Sequence, residues 1–231
     1  KAALDNHTEH LVISLGGIGS FDGGAGMLQA LGARFYDDEA QIVDMRKGAD
    51  LIKYIRRIDL SGVHPQLAKV NIQLMSDFSS RLYGKKSEIM QTYESLDLSQ
   101  NEAAEIDNLI WYFSELFKNE LKIAMGPIER GGAGGGIAAV LNSLYQAEIL
   151  TSHELVNQIT HLENLIQQAD LIIFGEGLKE EDQILETTTI RIAELTQQYN
   201  KPAIAICATN DKFDLFESLN VTAMFNTFID M

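Results

Sequence analysis

Cysteine and long apolar runs are what this sequence has least of. Its 231 residues contain one cysteine, Cys207, so an intrachain disulfide is excluded. Because Cys207 lies within the apolar run AIAICA, we predict a buried structural thiol rather than a nucleophile. No stretch of about eighteen apolar residues occurs, and no charged-then-apolar leader is seen. These absences predict a cytoplasmic protein without a membrane partner.

Positive charge is also scarce. The chain has 18 lysine and arginine residues against 33 aspartate and glutamate residues, which gives a net charge of -15 at pH 7. Such a surface repels phosphate backbones, so we expect no nucleic acid partner. The acidic residues are spread along the chain, which is typical of a solubilising surface. With 45% hydrophobic residues, the sequence can bury a core and is expected to be globular.

Short runs rich in β-formers alternate with longer amphipathic stretches, and this pattern predicts an α/β fold with a parallel sheet. The predicted strands are His10–Leu15, Val70–Met75, Asp170–Phe174, Ala203–Ala208 and Val221–Phe225. The predicted helices are Ala25–Ala33, Ala49–Arg57, Glu102–Leu121, Gly136–Gln146, His153–Gln168 and Thr189–Tyr199. In the helix over 102–121, apolar residues recur at helical spacing and predict a face that packs on the core: Ile106, Leu109, Ile110, Phe113, Leu116 and Phe117.

Two domains are expected. Residues 1–150 are predicted to form an α/β domain that carries glycine-rich substrate loops, and residues 151–231 to form part of a Rossmann-like domain. The second prediction depends on a strand-helix-strand-helix-strand series over 170–225, whose connections suit parallel crossovers. Ligands of open α/β sheets bind at the carboxyl ends of strands, which singles out four loops as candidate sites.

The first loop, LGGIGSFDGGAGM over 15–27, places six glycines between a predicted strand and a predicted helix. Glycines let backbone N–H groups approach an anion, and the following helix would direct its positive end towards it. Asp22 is predicted either to hold a metal or a substrate hydroxyl, or to cap the helix by accepting backbone N–H groups. The residues of this loop that we expect to bind substrate or phosphate are Gly16, Gly17, Ser20, Gly23 and Gly24.

The second loop, MSDFSSRLYGKK, follows the strand that ends at Met75. It places Asp77 at the strand tip as a candidate catalytic carboxylate and Ser79 as a candidate phosphate ligand. Arg81, Lys85 and Lys86 form a cluster of positive charge that is rare in this acidic chain. A patch that faces phosphate and a solvated turn both remain open as explanations of the cluster.

The third and fourth loops also combine glycine with functional groups. GPIERGGAGGGIAAVL runs from glycine into a helix, so residues 134–136 predict either a second anion site or close packing of the helix on a neighbour. IIFGEGLKEED places Glu176 between two glycines, as a base, a metal ligand or an acidic turn. The glycines that we expect to bind substrate or phosphate here are Gly134, Gly135, Gly136, Gly175 and Gly177.

Four segments in this order, LGGIGSFDGGAGMLQALGARFYD, RIDLSGVHPQLAKVNIQLMSD, GAGGGIAAVL and ADLIIFGEG…KPAIAICA, resemble the bacterial glycerate kinase family. The resemblance implies two α/β domains, one of them Rossmann-like, with the active site in the cleft between them. It also implies ATP and magnesium as cofactors and transfer of the γ-phosphoryl group to a hydroxyl of glycerate or a related hydroxy acid. It makes Asp22, Asp77 and Glu176 the catalytic carboxylates, and it assigns neither metal ligands nor an oligomeric state.

Several motifs of that family are altered in this chain. The family's GGSATNDGGAGM has I-G-S-F over 18–21 in place of S-A-T-N, and its DVTNPLxG stands here as DFSSRLYG. In its GEGRLDxQSxxGK, Leu178, Glu180 and Thr187 replace arginine, aspartate and lysine. Phosphoryl transfer needs positive groups beside the transferred oxygens. The alternative is therefore a catalytically impaired relative that keeps the fold and binds a small anion or a protein partner. The family's first strand would precede Lys1, so part of the Rossmann-like sheet is expected outside this chain.

Overall fold

A computed structural model describes residues 1–176, 188–207 and 213–227. The chain divides into two compact units, Lys1–Ile149 and Leu150–Met231. Both contain parallel strands joined through helices, which confirms the predicted α/β class. Among the described residues, no helix is both long and apolar enough to cross a membrane.

The central sheet of the first unit has the strand order β1-β4-β5, formed by His10–Ser14, Asn71–Met75 and Glu148–Leu150. Strands β1 and β4 run parallel, with Ser14 opposite Met75, so their carboxyl ends lie side by side. A second, two-stranded sheet pairs β2 (Arg34–Tyr36) with β3 (Arg57–Asp59) in antiparallel register. The helices of this unit are α1 (Ala2–Asp5), α2 (Ala25–Ala30), α3 (Glu88–Thr92), α4 (Gln100–Leu121) and α5 (Ile137–Tyr145).

Helix α4 supplies much of the core of the first unit. It begins at a capping box in which Ser99 and Glu102 bond each other's backbone N–H groups. The ring of Phe113 is fully buried and lies edge-on to the rings of Phe35, at 5.7 Å, and Phe117, at 4.9 Å. The predicted core-facing side is confirmed, because Ile110, Phe113 and Phe117 are buried and the other three residues pack against the same cluster.

The second unit contains a parallel sheet of β6 (Ile172–Glu176), β7 (Ala203–Cys207) and β8 (Ala223–Asn226). Its helices are α6 (Ser152–Thr160), α7 (Leu162–Gln168), α8 (Thr188–Gln198) and α9 (Phe213–Ser218). Phe174 and Phe216 pack edge-on at 5.5 Å in its core. Cys207 is buried in the same cluster, which confirms its predicted burial.

Two of the predicted helices are wrong. Residues 49–57 form a 3-10 helix, Ala49–Tyr54, followed by β3, because Ile55 turns extended and Arg57 pairs with Tyr36 while stacking on its ring at 4.1 Å. The single helix predicted over 153–168 is two helices, interrupted at His161, which has a φ of 52°. The side chain of Asn157 accepts the N–H of Glu163 at 3.2 Å, which satisfies a donor at the start of the second helix.

Candidate active site

The first two predicted loops leave the same edge of the central sheet. β1 ends at Ser14 and β4 at Met75, and the N–H of Leu15 still donates to the Met75 carbonyl at 2.9 Å. The glycine loop over 16–24 and the loop over 76–87 therefore start next to each other. This is the edge where open α/β sheets bind ligands.

The first half of the glycine loop is open. Gly16, Gly17 and Ser20 are exposed, and a Cβ added at Gly16 or Gly17 would meet no atom within 4 Å. In the described part of the chain, no protein acceptor takes the N–H groups of these three residues. The predicted substrate-binding residues over 16–20 thus present free backbone donors at the carboxyl end of β1. Such donors suit a carboxylate or a phosphate.

The second half of the glycine loop is packed. Asp22 is 9% exposed, and its two carboxylate oxygens accept the N–H groups of Gly24, at 2.9 Å, and Gly26, at 2.8 Å. These contacts are those of a carboxylate that caps a helix, which is one of the two alternatives predicted for Asp22. A catalytic role for Asp22 stays a prediction. Gly23 and Gly24 are buried with positive φ, and Gly23 contacts the third glycine loop.

The third loop is pressed against the first. The N–H of Gly23 donates to the Gly135 carbonyl at 2.9 Å. A Cβ at Gly136 would lie 2.6 Å from the Gly23 Cα, and one at Gly135 would overlap the Ser20 carbonyl. These contacts correspond to close packing, which is one of the two alternatives predicted for residues 134–136. Their use as anion ligands stays a prediction.

One carboxylate of this region was missed by the sequence analysis. Glu88, the first residue of α3, accepts the N–H of Gly135 at 3.2 Å. Burial raises the pKa of Glu88, and hydrogen bonds from the backbone of Gly135 and Gly134 partly oppose the rise. No local motif could have revealed this contact, since the two residues lie 47 positions apart.

The loop after β4 holds the second group of candidates. Asp77 is half-buried, whereas Ser79 is exposed. Ser80 and Ser87 are buried, and among the described residues their hydroxyls have no hydrogen-bond partner. Arg81, Lys85 and Lys86 are exposed, which leaves both explanations of this basic cluster open. Arg81 is held by a hydrogen bond from Nη1 to the Pro127 carbonyl at 3.1 Å.

The fourth predicted loop belongs to the second unit. Gly175 and Glu176 are the last two residues of β6, where they pair with Ile206 and Cys207 of β7. Gly177 lies outside the described residues, as do the altered motif positions Leu178, Glu180 and Thr187. Within the described residues, no group of three or more His, Cys, Asp or Glu side chains is arranged to hold a metal ion.

A glycine-rich α/β protein with open backbone donors beside a strand-tip carboxylate is the class that this fold and site define. Within that class the chain belongs to the glycerate kinase family, whose model matches residues 1–230. This confirms the resemblance seen in the sequence.

Individual relatives agree with the family match. The chain is 31% identical to a glycerate kinase of Halalkalibacterium halodurans over 90% of this chain and 54% of that protein. It is 28% identical to the glycerate 2-kinase of Escherichia coli over 97% of this chain and 58% of that protein. A crystal structure described as "putative glycerate kinase 2 from Salmonella typhimurium LT2" superposes with a TM-score of 0.80 at 30% identity, over 97% of this chain and 58% of that one. The chain thus spans a little over half the length of these relatives.

Proposed function

We propose that this protein is a glycerate kinase, which transfers the γ-phosphoryl group of ATP to a hydroxyl of glycerate or a related small hydroxy acid. The observation that carries the proposal is the open segment over 16–20, whose free N–H groups lie at the carboxyl end of β1 in a chain of the glycerate kinase family. ATP as the phosphoryl donor is our reason for proposing a cytoplasmic location.

The residues present fit a magnesium ion. Mg²⁺ in kinases is held by one or two carboxylates together with substrate phosphates, so a protein cluster of three ligands is not required. Each Asp22 oxygen accepts one backbone N–H, which leaves further lone pairs on a group with about four acceptor positions. Asp22 of the first unit would hold the ion, which supplies positive charge beside the transferred oxygens. Glu176, the last residue of β6, stays a predicted catalytic carboxylate.

The chain's own groups have distinct roles in this proposal. N–H groups of Gly16, Gly17 and Ser20 would bind a carboxylate or phosphate oxygen and orient it without a side-chain charge. A half-buried carboxylate such as Asp77 would accept the proton of the attacking hydroxyl. The packed glycines over 134–136 would support this arrangement by fixing the backbone of the first loop.

A second candidate is a catalytically impaired relative that binds a small anion or a protein partner. It is favoured by the number of loop donors that are already used inside the protein. The N–H groups of Gly23, Gly24, Gly135 and Gly136 donate to protein acceptors, which leaves only part of the glycine loops for a ligand. The sequence changes Leu178 and Thr187, which remove positive charge from a family motif, point in the same direction.

The test is ADP release from Mg-ATP with and without D-glycerate, using the full-length protein. We expect turnover that depends on glycerate and lies in the usual kinase range of about 1–100 s⁻¹. Asp77→Asn keeps the side-chain shape and removes the charge, so it should lower kcat by roughly 10²-fold or more. Asp38→Asn, at an exposed site, is the matched control and should change nothing.

The outcomes separate the two candidates. A folded wild-type protein that shows no glycerate-dependent turnover contradicts the kinase proposal and favours the impaired relative. Turnover that Asp77→Asn leaves intact keeps the kinase but removes Asp77 from its machinery. The thermal midpoint of each variant is measured alongside, so that loss of folding is distinguished from loss of chemistry.

A further inference from the structure

The turn over 134–136 already holds a carboxylate group, and that group is the protein's own. Gly134, Gly135 and Gly136 have successive positive φ values of 63°, 62° and 105°. The carboxylate of Glu88 accepts the N–H of Gly135 at 3.2 Å, and the N–H of Gly134 also bonds it. Successive backbone N–H groups in a turn form a concave site for an anion. In this protein that site is filled from α3.

A short chain of contacts leads from Glu88 to the proposed catalytic loop. Gly135 donates its N–H to Glu88 and accepts the N–H of Gly23 through its carbonyl at 2.9 Å. Gly23 directly follows Asp22, whose carboxylate binds the N–H groups of residues 24 and 26. Since Gly136 approaches the Gly23 Cα too closely to admit a Cβ, the turn and the loop cannot shift independently. The position of the turn therefore sets the position of Asp22.

We propose that Glu88 is a positioning residue, an internal anion that fixes the turn over 134–136 against the glycine loop and thereby places Asp22. This inference deepens the proposed function and rests on it where it concerns activity. Glu88 does not touch substrate in this arrangement. Its carboxylate takes the place that an external carboxylate or phosphate would occupy at the turn, so substrate anions are left to the open segment over 16–20.

The charge of Glu88, and not only its volume, is what the proposal requires. Gly134 and Gly135 are buried, so their N–H groups need an acceptor when Glu88 is removed. A small carboxylate such as formate carries the same acceptor group and is compact enough to enter the space that Glu88→Ala leaves. Rescue by formate is thus a readout that a role in packing alone would not produce.

The experiment compares Glu88→Ala with wild type in sodium formate and in sodium chloride at equal ionic strength. We expect Glu88→Ala to lower kcat by roughly 10²-fold, with a smaller change in KM, because Asp22 is displaced. Formate should restore both kcat and the thermal midpoint of this variant. It should leave the wild type and the exposed control Glu105→Ala unchanged.

Three results decide the proposal. The proposal is overturned if formate restores the thermal midpoint and kcat of Glu88→Ala no better than chloride does. Glu88→Gln keeps the shape of the side chain without its charge, so a wild-type kcat in this variant also overturns the proposal. Glu88→Gln decides the question if Glu88→Ala does not fold in either salt. If the wild type itself has no turnover, the proposed function fails, and the selective effect of formate on the midpoint of Glu88→Ala still tests the internal anion.

Discussion

Two glycines with nearly the same positive φ have opposite surroundings in this protein. Gly17 has a φ of 68° and open space where a Cβ would point, whereas Gly135 has a φ of 62° and would direct a Cβ into the Ser20 carbonyl. The strain of a left-handed conformation is common to both positions. Only Gly135 adds a backbone clash, which no side-chain rotation can relieve.

Alanine at these two positions should therefore separate conformational strain from packing. We expect Gly17→Ala to cost about 1–2 kcal/mol of unfolding free energy, as for one residue in a left-handed conformation. Gly135→Ala should cost more, because the turn must also move away from Ser20. Urea unfolding of both variants measures the difference. Equal losses of unfolding free energy in the two variants would show that the turn can move away from Ser20 without cost.

Glu88 also makes a prediction for the pH dependence of stability. Burial raises the pKa of Glu88 above its ordinary value of 4.5, and no charged neighbour contributes to the shift. The folded state then holds the proton more tightly than the unfolded state. The contribution of Glu88 is thus fully present below pH 4.5 and is lost as the pH rises through the folded pKa.

This dependence is measured as the difference in unfolding free energy between wild type and Glu88→Gln. The difference should become less favourable to the wild type as the pH rises from 4.5 towards neutrality. Glu105→Gln, on the exposed side of α4, provides the control for general charge effects. A difference that grows with pH would mean that the backbone hydrogen bonds outweigh burial.

At the residue scale, the sequence revealed the contacts that are local. The capping alternative for Asp22 could be predicted, because the acceptor and its two donors lie within four residues. The contact between Glu88 and Gly135 could not, since it depends on how α3 and the turn are brought together by the fold. The hydroxyls of Ser80 and Ser87 gave no sequence signal of burial for the same reason.

At the scale of whole elements, α4 links the core to the site. Phe113 is fully buried in this helix, and a Cβ at Gly23 would lie 2.9 Å from its Cδ1 atom. The glycine loop is thus seated directly on an aromatic ring of the core. Packing of the helix and placement of the loop are consequences of the same contact.

A pair of aromatic substitutions in α4 tests this link. Phe113→Ala should lower the unfolding free energy by about 3–5 kcal/mol, because it removes a buried ring between Phe35 and Phe117. Trp111→Ala, at a residue 49% exposed on the same helix, should lower it by less, because much of this side chain already lies in water. Chemical denaturation measures both. Similar losses would contradict the burial pattern of the helix.

Elements differ in how far the sequence predicts them. Helix α4 was predicted closely, because a long amphipathic period and a capping box are both local signals. Strands β2 and β3 have three residues each and were missed, because their pairing joins segments far apart in the chain. The same pairing explains why residues 49–57 do not continue as a helix.

At the scale of the whole molecule, the net charge of -15 is a source of self-repulsion in the folded state. The acidic residues are distributed along the chain, so the repulsion acts over many separations rather than within one cluster. Repulsion over long separations is the part that salt screens, since the screening length falls from about 30 Å at 0.01 M to about 10 Å at 0.1 M. Composition alone predicts this property, because it does not depend on which residues meet.

The thermal midpoint should accordingly rise when potassium chloride is increased from about 0.01 M to about 0.1 M. Salt also weakens attractive ion pairs, which would lower the midpoint. Pairs such as Lys1 with Asp5 are exposed, however, and contribute little to stability, so this opposing effect should be small. Neutralising two exposed acids of α4 with Glu105→Gln and Glu120→Gln should raise the midpoint at low salt and reduce its salt dependence. A midpoint that falls with salt would show instead that attractive pairs dominate the electrostatics of the folded chain.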